Sequence, residues 1–191
     1  MATIDLRRRR IDAKIVYYGP GLSGKTTNLL DIHRRMPEGQ RGRLRSLATD
    51  EERTLFFDFV PVSPIVVGGW DVRFHLYSVP GQEHFARTRR AILGGADGVV
   101  FVADAAPDRQ VANRASLDEL GEFLALYDRT LDDTAFVLQL NKLDLPDAVL
   151  ADDLQTTLNA EARLVVSAIA TRGAGVAETL RTISRQVAQR L

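Results

Sequence analysis

The sequence predicts an α/β protein: a doubly wound, mostly parallel six-stranded sheet with an antiparallel edge hairpin and helices on both faces. Three observations carry this expectation. Short apolar runs alternate with segments of helical periodicity, and two runs, at 99–103 and 135–140, are almost continuously apolar. Strands buried on both faces of a parallel sheet read that way. A glycine-rich loop at residues 19–26 separates the first apolar run from the first helical pattern. Gly68-Gly69 sits between two further strand-like runs, as a tight hairpin turn does.

Taken in order, Ala13-Lys14-Ile15-Val16-Tyr17-Tyr18 reads as a strand and residues 25–35 as a helix, followed by a polar stretch at 37–53. Strands near 55–67 and 70–78 flank the glycine pair, and Pro61 and Pro64, which lack ladder donors, push the first of them to the sheet edge. A helix near 84–94, a strand at 98–104, a helix at 113–128 and a strand at 135–141 follow. The chain closes with a helix at 148–159, a short strand at 163–167 and a helix at 174–190. Val176, Leu180, Ile183, Val187 and Leu191 share one face of that last helix, a packing stripe.

At 191 residues, with 45% hydrophobic and 26% charged side chains, the chain is expected to form one domain over 1–191. Zero formal net charge argues against a nucleic-acid surface covering the molecule. Cysteine is absent, which excludes a disulfide framework, thiolate zinc and a Cys nucleophile. No transmembrane segment or lipid-anchor signal is read, so a cytoplasmic location is expected. Lysine occurs only at 14, 25 and 142, arginine filling the other basic positions, and two of the three lysines fall in the runs Gly19–Thr26 and Asn141–Asp144. There a compact ammonium is not replaceable by a planar fork.

Gly19-Pro20-Gly21-Leu22-Ser23-Gly24-Lys25-Thr26 has two glycines four residues apart, then Lys and Thr, between a strand and a helix. Glycine freedom lets backbone N–H groups close around phosphate oxygens, and the helix start adds positive charge. Lys25 is expected at the β- and γ-phosphates and the Thr26 hydroxyl on Mg²⁺. A glycine turn with a solvated lysine is the bland alternative. Asn141-Lys142-Leu143-Asp144 ends a buried strand, where a carboxylate can accept both donors of the guanine edge. Adenine would leave that carboxylate unpaired, whereas a simple Asx turn has no such preference. Val166-Ser167-Ala168 would complete the base pocket, and Gly81 and Gln82 follow strand 70–78 as γ-phosphate sensor and water-orienting group. Upstream, Glu52-Arg53-Thr54 ends the polar stretch, and Thr54 is expected to close over Mg²⁺ and the γ-phosphate.

Together these residues resemble a Ras-like small GTPase, and more closely the bacterial MglA-type GTPases of gliding motility and cell polarity. The run from Lys14 to Leu29, Ser46-Leu47-Ala48-Thr49 with residues 52–59, Arg73-Phe74-His75-Leu76-Tyr77 and residues 96–104 carry the likeness. The resemblance implies the P-loop small-GTPase fold, GTP/GDP and Mg²⁺ as cofactors, and hydrolysis that is slow alone and stimulated by a partner. Arg53 matches an intrinsic arginine finger, Thr54 the switch threonine and Gln82 the catalytic glutamine, with Lys25 beside them. Expected nucleotide contacts are Gly19, Gly21, Leu22, Ser23, Gly24, Lys25, Thr26, Thr27, Thr54, Gly81, Asn141, Lys142, Asp144, Ser167 and Ala168. The resemblance further implies activation by sliding of the edge hairpin and a roadblock-fold, MglB-like dimer as GTPase-activating partner. An exchange factor, polarity or motility effectors and recruitment to cell poles belong to the same expectation.

The chain also departs from the pattern. Ser78 stands where most small GTPases carry a magnesium-holding Asp and MglA-type proteins usually carry Thr; Thr26, Thr54 and Asp58 are the expected metal contacts instead. Ile169 replaces a usual lysine, and Glu83-His84-Phe85 follows Gln82 in a eukaryotic-like manner. Arg7–Arg10 reads as a solvated terminus, His33 and His75 lack metal-ligand spacing, and His84 sits on a switch segment where partner contact and simple exposure are equal alternatives. Two other classes remain open: a P-loop ATPase or kinase, opposed by Asn141 and Asp144, and a nucleotide-dependent scaffold with negligible turnover, motivated by Ser78.

Overall fold

The structure, a computed structural model, describes residues 2–48, 53–59, 65–158 and 163–191. Its strands are β1 (Thr3–Asp5), β2 (Arg10–Tyr18), β3 (Arg45–Ala48), β4 (Arg53–Phe59), β5 (Val66–Val67), β6 (Trp70–Ser78), β7 (Gly98–Asp104), β8 (Ala135–Asn141) and β9 (Leu164–Ala168). Its helices are α1 (Lys25–Arg35), α2 (Ala86–Leu93), α3 (Gln110–Ala125), α4 (Ala151–Thr157) and α5 (Val176–Ala188). Among the described residues the sheet runs β3-β4-β6-β2-β7-β8-β9, with β1 on β2 and β5 on β6. From β6 to β9 every neighbouring pair is parallel. β4 is antiparallel to β6, and β3 to β4.

This is the doubly wound α/β architecture the sequence predicts, and the strands expected at 13–18, 70–78, 98–104, 135–141 and 163–167 are present as β2, β6, β7, β8 and β9. β2 alternates sides as a strand must. Ile11, Ala13, Ile15 and Tyr17 pack with α1 and α5, while Val16 and Tyr18 belong to the second core with Leu93, Leu117, Leu120, Leu124 and Leu154. α1 and α5 therefore cover one face, and α2, α3 and α4 the other. β7 and β8 are buried along their whole length, the burial their continuous apolar runs imply. Val176, Leu180, Ile183 and Val187 are buried, but Leu191 lies beyond the end of α5 and is 39% exposed, so it is not part of the stripe.

The edge differs from expectation. The expected strand 55–67 is two strands, β4 and β5, and Pro61 and Pro64 lie outside the described residues. β4 pairs on both sides, so the edge is β3, inside the stretch read as polar loop. With Leu47 as its one large apolar residue, β3 offers no period-two signal. The Gly68-Gly69 turn is as expected: Val67 faces Trp70 across it, and both glycines hold positive φ, 57° and 84°. The arginine cluster is solvated over residues 7–9, as expected, but runs into a strand at Arg10. Arg10 starts β2 and pairs with Asp12 at 2.9 Å, while Arg7, Arg8 and Arg9 form the exposed turn from β1.

Lys14, the lysine outside the motifs, is structural: its Nζ donates to the Gly94 carbonyl at 3.0 Å and stands 4.9 Å from the Tyr77 ring centre. No helix of the described residues is long and apolar enough to cross a membrane. α5 lies so close to β7 that a Cβ on Gly98 would come within 2.5 Å of Val187 Cγ2. Gly98→Ala is expected to cost about 1–3 kcal/mol by overpacking. Urea denaturation checks this: adding Val187→Ala removes the clashing methyl, so the double variant should be more stable than the summed single effects by about 0.5 kcal/mol or more.

Candidate functional site

The strand order turns at β2, which has β6 on one side and β7 on the other, so its carboxyl end opens at the topological switch point. Residues 19–26 occupy that point. Gly19 has φ 136°, and a Cβ there would lie 2.4 Å from the Val102 carbonyl oxygen. Gly24 has φ 102°, and a Cβ would meet Asn141 Nδ2 at 2.2 Å. Leu22 also holds positive φ, 64°, with its side chain 87% exposed. No side-chain cap and no acidic residue occupies the first turn of α1, so its leading N–H groups face the loop. Lys25 is 5% exposed and donates to the Gly19 and Pro20 carbonyls at 2.8 and 2.6 Å. Ser23 Oγ is buried without a hydrogen-bond partner, and Thr26 and Thr27 are half-buried in the first turn of α1.

The residues expected on the base side gather beside this loop. Asn141 is 2% exposed; its Nδ2 donates to the Ser23 carbonyl at 2.8 Å and its Oδ1 accepts the Ala170 N–H at 2.9 Å. Lys142, at φ 69°, reaches Asp104 Oδ2 at 2.6 Å. Parallel register sets Leu140 beside Ser167 and Asn141 beside Ala168, which brings the two base-side motifs to one level. Gly175 closes on them so tightly that a Cβ would fall 2.1 Å from the Ser167 carbonyl oxygen. Asp144 Oδ2 stands 3.5 Å from Arg172 Nη2, a long and largely exposed ion pair.

After β6 the chain comes back over the loop. A Cβ on Gly81 would sit 2.5 Å from Gly21 N and 2.8 Å from Lys25 Nζ, so the two backbones touch at the lysine. The Gln82 side chain is exposed, but its carbonyl is held by Arg89, which also donates to the Pro80 carbonyl at 3.3 Å. Arg89 in turn pairs with Glu119 at 2.6 and 2.8 Å, and the Tyr18 hydroxyl donates to the same carboxylate at 2.5 Å. Burial, then the bond to Glu119, pushes the Tyr18 phenol well above its ordinary range. Burial works against the Arg89 charge, but the Glu119 contacts outweigh it and the guanidinium stays above its usual value.

Arg53 and Thr54 open β4, paired with Ala48 and Leu47. They lie beyond the Phe56–Tyr77 pair, toward the carboxyl end of β6. Asp58 pairs with His75, three positions back from Ser78, which is about 10 Å along a strand. The structure thus brings Gly19, Gly21, Lys25, Gly81, Asn141, Ser167 and Ala168 to one end of the sheet and keeps the Asp58 backbone away from it. Ser78 is fully buried at the end of β6.

Sequence reading missed Asp104, Arg89 and Arg109 as members of this site. Asp104 was detectable as an acid ending a wholly apolar strand. Arg89 and Arg109 carry no local signal, since their partners are distant in sequence. Arg109 Nη2 donates to the Gly21 carbonyl at 2.8 Å.

Residues 54–187 match the ADP-ribosylation factor family. The chain is 45% identical over 187 residues to Mutual gliding-motility protein MglA of Myxococcus xanthus, covering 98% of this chain and 96% of that protein. It is also 30% identical over 122 residues to Elongation factor 4 of Levilactobacillus brevis, a match covering 62% of this chain but 18% of that protein. A glycine cradle at the switch point, a glycine–glutamine loop laid against its lysine, and likeness across nearly the whole length converge: the chain belongs to the MglA-type bacterial small GTPases of the Ras-like superfamily and acts as a GTP-hydrolysing switch.

Proposed function

We propose that residues 1–191 form one G domain that binds GTP or GDP with Mg²⁺ at residues 19–26 and changes state with the γ-phosphate. The observation that carries this reading is the Asn141 side chain, which ties the phosphate loop to the Ser167–Ala170 loop by two buried bonds. A nucleotide laid along that seam has its phosphates at Gly19, Gly21, Leu22, Ser23, Gly24, Lys25, Thr26 and Thr27. Its base meets Lys142, Asp144, Ser167 and Ala168. Asp144 accepts from the guanine edge, exchanging a weak exposed contact with Arg172 for a matched pair of donors.

The donor set fits a phosphate: a buried lysine, uncapped helix N–H groups and glycines whose Cβ positions are blocked by backbone or amide atoms. Lys25 neutralises phosphate charge and the Gly81 N–H donates to the γ-phosphate. Gln82 orients the attacking water, and Arg53 stabilises charge that develops on the transferred group. Among the described residues no group of three or more His, Cys, Asp or Glu gathers where a metal could sit. The hydroxyls of Thr26 and Thr54 would hold Mg²⁺, which would supply positive charge against the phosphate oxygens. Asp58 enters that set only after the hairpin moves. A slide by two residues keeps every side chain on its own face, whereas a slide by one reverses them all.

Similarity to Mutual gliding-motility protein MglA supports a cytoplasmic role in cell polarity or motility, with recruitment to cell poles. The exposed Gln82 loop and the β3–β4 hairpin form the surface for a roadblock-fold, MglB-like dimer that stimulates hydrolysis. An exchange factor and effectors act on the same switch.

Asp144→Asn is expected to lower GDP affinity by on the order of 10⁴-fold and to gain xanthosine diphosphate binding, because the amide reverses the hydrogen-bond pattern. Competition binding with GDP, ADP and XDP checks this, and equal wild-type affinity for GDP and ADP would remove the guanine reading. Arg53→Ala should reduce partner-stimulated hydrolysis by about 10³–10⁵-fold and Gln82→Leu should also lower it strongly, both leaving GDP affinity in place. Phosphate release with and without the roadblock partner measures both, and unchanged rates would reject the assigned roles.

A further inference from the structure

Arg109 lies outside every nucleotide motif in the chain. It ends the short 3-10 turn Pro107–Arg109 after β7, on the carboxyl edge of the sheet. Its Nη2 donates to the Gly21 carbonyl at 2.8 Å, across 88 residues of sequence. Its Nε stands 4.0 Å from Asp104 Oδ2, within ion-pair range but without a hydrogen-bond partner. The Asp104 carboxylate is fully buried; Oδ2 accepts from Lys142 at 2.6 Å and Oδ1 accepts the Ala106 N–H at 3.1 Å. One buried acid is thus shared by a lysine from the base-side loop and an arginine on the phosphate loop.

The direction of the Arg109 bond matters more than its charge. Lys142 already supplies the close counter-ion of Asp104, and Arg109 turns its terminal nitrogen onto a backbone carbonyl instead. No peptide bond among the described residues is cis, so the Gly21 carbonyl and the Leu22 N–H point opposite ways from one peptide plane. Holding the carbonyl against Arg109 aims the Leu22 N–H away from Arg109, into the cradle. Leu22 keeps a left-handed φ of 64° that a non-glycine residue adopts only when its surroundings impose it. Gly21 is also the residue on which Gly81 rests.

We propose that Arg109 is a positioning residue of the phosphate loop. It fixes the Gly21–Leu22 peptide so that its N–H serves the phosphates, and through Asp104 it couples that peptide to Lys142 on the base side. The proposal rests on the reading of residues 19–26 as the phosphate cradle.

The test uses the full chain and the variants Arg109→Ala and Arg109→Lys. Release of a fluorescent GDP analogue is followed during a chase with excess GDP, beside thermal unfolding of the nucleotide-free proteins. Arg109→Ala is expected to release the analogue about tenfold faster, the loss of one charge-assisted hydrogen bond. Arg109→Lys, which keeps a donor for the Gly21 carbonyl, should stay within about threefold of wild type. Release by Arg109→Ala within twofold of wild type overturns the proposal. So does faster release from both variants alike with a matching fall in the unfolding midpoint of the free protein, which would mark a merely structural arginine. A wild-type chain that retains no GDP analogue overturns the phosphate-cradle reading and this proposal with it. Retention by wild type and Arg109→Ala alike overturns the proposal alone.

Discussion

One buried side-chain amide holds the site together. Asn141 donates to the Ser23 carbonyl and accepts from the Ala170 N–H, so three loops with no sequence proximity meet at one planar group. Neither an aspartate nor a leucine could replace it: the first lacks the donor, the second both partners, and either leaves buried backbone groups unpaired. Gly24 is constrained by the same group, because any Cβ there would strike Nδ2. Gly24 and Asn141 are therefore one requirement seen from two sides.

Behind that seam lies a second amide pair in the core. Asn28 on α1 and Gln139 on β8 exchange hydrogen bonds at 2.8 and 2.9 Å, and Gln139 also donates to Thr179 Oγ1 on α5 at 2.8 Å. Such a network fixes the rotation of α1 about its axis, which apolar packing alone leaves loosely specified. The first turn of α1 carries Lys25, Thr26 and Thr27, so the angle they present to the loop at 19–26 is set by polar groups deep beneath the candidate site. The base side is thus doubly anchored. The Gln82 side hangs on Arg89, whose hold on the Pro80 and Gln82 carbonyls runs through Glu119 to Tyr18 at the end of β2.

Much of this was legible in the chain because it rests on local patterns. The continuous apolar runs of β7 and β8 announce double burial, and the glycine spacing before Lys25 announces a backbone that must curl. Gln139, a lone amide within such a run, is a signal for a buried polar partner, though not for which one. What stayed hidden depends on tertiary meeting. β3 is a strand only because β4 offers it a ladder, since Arg45, Ser46 and Ala48 carry no strand signature. Tyr18, Arg89 and Glu119 form one cluster from three distant segments. Arg109 looks like any exposed loop arginine until Gly21 is placed beneath it. Asp58 shows the opposite limit: adjacency to β6 is readable from order, but the register that pairs it with His75 is not.

Sheet topology explains where movement is cheapest. β2 is bound to β6 from Arg10 to Tyr17 and to β7 over the half nearest the phosphate loop, so the cradle stands on strands paired on both sides. The β3–β4 pair joins the rest of the sheet through β6 alone, along residues 56–59. Displacing it breaks one short antiparallel ladder and leaves the parallel core and the Asn141 seam intact. Antiparallel bonds can re-form two residues along with the same faces presented, so such a shift ends in another paired state instead of a melted edge. A switch needs two arrangements of similar energy, and those arise where the sheet is held on one side only. Arg53 and Thr54 open β4, the strand through which the β3–β4 pair is joined to β6. Asn141, by contrast, ends β8, which is paired on both sides, and Lys25 starts α1, which packs on the core face of the sheet.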